Sequence, residues 1–92
     1  MTTTTRNTLM YECRTAGGLF LVDMCLPLYA LMIDDDWARE LAALDYVRGT
    51  HVERRDGRPV TLAVTVDGAL TWARVEEMQA TVDRVFSREM GR

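Results

Sequence analysis

Lysine is missing from this 92-residue chain, and serine, asparagine, glutamine and histidine occur once each, as Ser87, Asn7, Gln79 and His51. A lone histidine with no nearby cysteine and histidine set does not predict a zinc site. Two cysteines, Cys13 and Cys25, exclude a scaffold built on disulfides. No apolar run approaches the ~20 residues that span a bilayer. Met1–Thr8 is Thr-rich without an apolar segment, so no secretory signal is read there. Ser87 has no flanking glycines of a nucleophile elbow. Gly17-Gly18 opens a strand rather than a helix, so it is not a phosphate cradle. These absences leave no recognisable catalytic constellation. The expectation is a non-enzymatic chain with no cofactor and no metal, soluble and cytoplasmic, with no membrane partner.

What remains is enough apolar material for a core. Hydrophobic residues make up 48% and charged residues 27%, which excludes disorder throughout. Fourteen acids face eleven bases, all of them arginine, for a formal charge of −3. A net acidic chain is a poor general binder of nucleic acid, because phosphate neutralisation supplies most non-specific affinity.

Period-2 patterning starts at Thr8. Thr8–Thr15 and Leu19–Leu26 flank a Gly17-Gly18 turn and read as a hairpin. Pairing Ala16 with Leu19, Cys13 with Val22 and Tyr11 with Met24 gathers Leu9, Tyr11, Cys13, Thr15, Phe20, Val22, Met24 and Leu26 on one apolar face. The opposite face, with Glu12, Arg14, Leu21 and Asp23, is mixed. A slip of one residue destroys that separation. In this register Cys13 and Cys25 are offset and face opposite ways, so no intrachain disulfide is expected; both read as small, partly buried apolar residues.

Trp37, Leu41, Leu44 and Val47 recur at helical spacing and predict a helix over Trp37–Arg48, led by an aspartate cap and ended by Gly49. Thr50–Arg55 and Arg58–Val66 flank Asp56-Gly57, a second hairpin, with the basic first strand at an edge. Val60, Leu62, Val64 and Val66 alternate with Thr61, Ala63 and Thr65 as a half-buried strand. A long helix over Thr71–Met90 turns Trp72, Val75, Met78, Val82, Val85 and Phe86 inward. Trp37-Ala38-Arg39 and Trp72-Ala73-Arg74 repeat one tripeptide at two helix starts, a weak hint of duplication. The predicted fold is α+β: a two-layer sandwich of four antiparallel strands with two helices on one face, in the order ββαββα. Residues 1–7 read as a flexible N-terminus ahead of a single α+β domain over 8–92.

Two features carry binding potential. The apolar stretch with Leu28, Tyr29, Met32 and Ile33 runs into Asp34, Asp35 and Asp36. Contiguous exposed apolar groups with a charged rim mark an interaction site. The aspartates themselves read as a helix cap and solvated approach rather than a metal site. The second feature is the hairpin with Arg48, His51, Arg54, Arg55 and Arg58, a basic ribbon suited to phosphates. Glu53 and Asp56 interrupt it, and no aromatic lies among the arginines to stack bases.

The reading that follows is a non-catalytic protein-interaction module meeting a protein partner with a basic surface. Its most concrete form is a small acidic regulator or inhibitor of the kind made by phages and mobile elements, such as anti-CRISPR proteins, blocking a phosphate-binding surface. The alternative is a small nucleic-acid-binding regulator using the 48–58 hairpin. A further alternative is a homodimeric structural module in which Leu28–Ile33 serves self-association.

Overall fold

Two tight turns organise the sheet. Gly17 and Gly18 hold φ of 58° and 79°, and Asp56 and Gly57 hold 53° and 80°. Positive φ at both central residues is the type I′ geometry, whose twist matches that of the strands it joins. Each turn fixes its hairpin without a register slip at the loop. The computed structural model describes residues 2–25 and 36–90. Its elements are β1 (Thr3–Asn7), β2 (Tyr11–Ala16), β3 (Leu19–Met24), α1 (Ala38–Ala42), β4 (Val47–Arg55), β5 (Arg58–Val66) and α2 (Trp72–Met90).

The structure is α+β, with one antiparallel sheet and two helices, but the sheet has five strands in the order β1-β2-β3-β5-β4. The expected four strands and ββαββα order are corrected by β1. Residues read as frayed pair along β2, Thr3 with Thr15, Thr4 with Arg14, Arg6 with Cys13 and Asn7 with Glu12. Their polar sequence lacks the alternation that betrays a half-buried strand, yet Thr has high strand propensity. The predicted register of the first hairpin is the one observed: Tyr11 faces Met24, Cys13 faces Val22 and Ala16 faces Leu19.

The core lies between the sheet and the helices. Cys13, Phe20, Val22, Leu62 and Val64 are fully buried from the sheet, against Trp37 and Leu41 and against Met78, Val82 and Val85 of α2. Trp37 donates its indole N–H to the Val82 carbonyl at 3.2 Å, tying α1 to α2. The Tyr11 ring meets Trp37 edge-on at 5.3 Å and Phe86 at 5.0 Å. Such offset aromatic pairs add to what burial alone contributes.

Several expectations are revised. α1 is a single short turn, because the chain turns into strand at Val47; Gly49 lies inside β4 and not at a helix end. No side chain caps α1. In α2, Thr71 fills the cap, its hydroxyl accepting the Arg74 N–H at 3.3 Å. Trp72 does not face inward: it is 62% exposed, while Trp37 is sealed. The repeated tripeptide therefore occupies two unlike environments. β5 is buried on both faces at Thr61–Val64, because it lies between β3 and β4.

This packing sets a contrast between two tryptophans. Trp37→Ala should lower unfolding stability by about 3–5 kcal/mol, through lost burial and a cavity. Trp72→Ala should stay within about 0.5 kcal/mol of the parent. Urea denaturation followed by circular dichroism measures both.

Candidate interaction surfaces

The sheet face turned away from the core carries two rows of side chains that cross all five strands. One row runs Asn7, Glu12, Asp23, Thr61, Glu53; the next runs Thr4, Arg14, Leu21, Ala63, His51. Adjacent strands lie about 4.8 Å apart, so Glu12 and Glu53 stand about 14 Å from each other across three spacings. Leu21 and Ala63 are buried in the second row, yet they fall outside the cluster that joins sheet to helices.

A hydrogen-bonded network fixes the middle of this face. Arg14 donates Nε to Asp23 Oδ2 at 2.5 Å and Nη2 to Oδ1 at 3.3 Å. Thr61 donates its hydroxyl to the same Oδ1 at 2.7 Å. The Asp23 carboxylate raises the Arg14 pKa above its ordinary value, so that cation does not titrate away. Glu12 and Glu53 flank the network; neither forms an ion pair among the described residues, though both carboxylates act with Asp23 on the Arg14 guanidinium. Three carboxylates thus share one row with a single guanidinium beside them.

The arginine hairpin forms the far edge. Arg48 sits at a register shift between Val47 and Gly49 and pairs with Asp67 at 3.4 Å. His51 lies opposite Ala63 on the open face, Arg54 opposite Pro59, and Arg55 opposite Arg58 beside the turn. Arg48, His51, Arg54, Arg55 and Arg58 are all exposed. Between the hairpin tip and the end of β3 is a shallow pocket of about 200 Å³ lined by Met24, Cys25, Arg55, Asp56, Arg58, Pro59 and Val60.

The other predicted patch is reached only at its margin. Leu28, Tyr29, Met32, Ile33, Asp34 and Asp35 lie outside the described residues. Asp36 accepts Arg39 Nη2 at 3.3 Å, across one turn at the start of α1. The open-face row was only half visible in the sequence. The mixed face of the first hairpin already held Glu12, Arg14 and Asp23. Thr61 and Glu53 join them because β5, not β4, docks on β3, and no local pattern encodes that.

Cys13, Cys25 and Tyr11 sit in unlike settings. Cys13 is fully buried, and burial first, then the Asp83 carboxylate, pushes its thiol up to about 12. Cys25 is exposed rather than partly buried, with no disulfide to Cys13. Desolvation and the carboxylates of Glu12 and Asp23 raise its pKa as well. Tyr11 donates its hydroxyl to Asp83, which also accepts Arg6 Nε at 3.1 Å. Burial, then that hydrogen bond, moves the Tyr11 phenol well above its ordinary value. Among the described residues no group of three or more histidine, cysteine or acidic side chains is placed to hold a metal ion. No described helix is long and apolar enough to cross a membrane.

Comparison with protein-family models, curated proteins and solved structures returns no match. The functional reading therefore rests on the surfaces themselves.

Two outcomes follow from the buried ionisable groups. Iodoacetamide should modify one thiol, Cys25, in the native chain and a second only after unfolding, as counted by mass spectrometry. Stability should also fall in alkali. Below pH 9, the ordinary thiol value being 9.0, Cys13 is protonated folded or unfolded and stability does not depend on it. Between 9 and about 12 the unfolded chain loses that proton while the folded chain keeps it. The folded state then binds more protons, and stability drops by up to about 1.4 kcal/mol per pH unit. Tyr11 adds a similar loss beginning about one unit higher. Denaturation midpoints from pH 7 to 11 should show the decline, and Cys13→Ala should remove its earlier part.

Proposed function

We propose that this chain is a non-catalytic protein-interaction module that meets a basic protein surface with the acidic row on the sheet face turned away from its core. The observation that supports this most is the row Glu12, Asp23 and Glu53, three carboxylates on three different strands. Strand pairing holds them at fixed spacing, so little conformational freedom is lost on docking. Asp23 is braced by Arg14 and Thr61, whereas Glu12 and Glu53 keep their acceptor capacity for guanidinium or ammonium groups on a partner. Complementary charge of this kind mainly speeds encounter and fixes orientation. In its most concrete form the module is an inhibitor of the phage or mobile-element kind, occupying a surface that otherwise binds phosphate.

The nucleic-acid reading draws on Arg55 and Arg58, which meet no carboxylate among the described residues. Arg48 is already paired with Asp67, and Glu53 lies beside the same hairpin. The ribbon is therefore not uniformly cationic, and the acidic face is the stronger candidate.

Affinity capture from the native host with three forms of the chain separates these readings. A basic protein retained by the wild type should be retained by Arg55→Gln/Arg58→Gln and lost, at least tenfold, with Glu12→Gln/Glu53→Gln. A nucleic-acid mobility shift abolished by the arginine pair and untouched by the glutamate pair would instead favour the basic ribbon.

A further inference from the structure

The tip of the β4–β5 hairpin holds an arrangement that costs free energy as it stands. Arg55 and Arg58 face each other directly across the strand pair, beside the Asp56-Gly57 turn. Residues opposed in this way share one side of the ribbon, and like charges so placed are destabilising. Nothing in the described residues relieves them: Asp56, between the two in sequence, forms an ion pair with neither, and no other carboxylate reaches them. Both guanidinium-bearing residues line the same pocket.

The rest of that pocket is not a phosphate-only surface. Met24, Pro59 and Val60 give it an apolar wall, and Pro59 is buried although it sits two residues beyond the turn. Cys25 closes one side, held by a hydrogen bond from its backbone N–H to the Met10 carbonyl at 2.8 Å. A volume of about 200 Å³ compares with the roughly 150 Å³ cavity that accepts a benzene ring. Paired guanidinium forks bind carboxylate and phosphate oxygens in bidentate fashion. We propose that this pocket is a binding site for a small organic anion, a carboxylate or phosphate monoester carried on a single apolar ring or a body of that size. The anionic head sits between Arg55 and Arg58, and the body lies against Met24, Pro59 and Val60. The site is separate from the acidic row, and the two stand or fall independently.

Cys25 makes the site readable, because it lies on the pocket wall while Cys13 is sealed in the core. The rate of Cys25 alkylation is measured in the intact chain against rising concentrations of benzoate, phenyl phosphate, inorganic phosphate and benzyl alcohol. Saturable protection by benzoate, phenyl phosphate or both is expected, and the difference between them identifies the preferred head group. Inorganic phosphate and benzyl alcohol should each need at least tenfold higher concentration. Arg55→Gln/Arg58→Gln should weaken protection at least tenfold, and Val60→Trp should abolish it by filling the pocket with both charges in place. Circular dichroism of each variant confirms that the fold is kept. Glu12→Gln/Glu53→Gln should bind as the parent does. The proposal is overturned if neither aryl anion protects Cys25, if the arginine pair makes no difference, or if inorganic phosphate protects as well as phenyl phosphate.

Discussion

The carboxylate of Asp83 is where the separate layers of this molecule meet. It projects from α2 and accepts the buried hydroxyl of Tyr11 on β2 and the guanidinium of Arg6 on β1. Without it the Tyr11 oxygen would lie buried with no partner, a penalty of about 1–3 kcal/mol. Tyr11 in turn supplies the ring on which Trp37 and Phe86 pack. Trp37 hydrogen-bonds back to α2 one residue before Asp83, at Val82. One short stretch of α2 therefore aligns β1 and β2, the aromatic cluster and the small helix α1. A second fastening holds the start of α2. Tyr46 donates to Glu77 at 2.6 Å while Arg74 stacks 4.8 Å over its ring and reaches the Ala69 carbonyl.

The hairpins were legible because their information is local. Gly17-Gly18 and Asp56-Gly57 supply the backbone angles a type I′ turn needs, and the alternation of Tyr11, Cys13, Phe20 and Val22 admits one register. β1 was not legible, because Thr3–Asn7 has no apolar face to read. What holds it is pairing with β2 and the ion pair of Arg6 to a residue 77 positions away. The length of α1 was overread for the opposite reason. Leu44 and Val47 continue the helical spacing of Trp37 and Leu41, but they reach the same core from a turn and from a strand. Spacing alone does not distinguish these routes.

The functional surfaces divide along the same line. The basic residues of the β4–β5 hairpin were visible as a cluster in sequence, and the structure keeps them together at one edge. The acidic row was invisible as a unit, since its members come from β2, β3 and β4 and depend on β5 entering between β3 and β4. The pocket at the hairpin tip needed one further step, the approach of Met24 and Cys25 at the end of β3 to the turn of a distant hairpin.

That entry of β5 beside β3 also bears on how the chain assembles. β2–β3 and β4–β5 are each closed by a two-residue loop, and such ribbons form in about 1–10 μs. The ladder that unites them sets Phe20 beside Val64 and Val22 beside Leu62, a seam stitched between distant parts of the chain. Loop-closure entropy must be overcome before those contacts offset it, so the seam, and not either ribbon, governs the speed of folding. Until it closes, the inner edges of β3 and β5 are both open to mispairing with other chains.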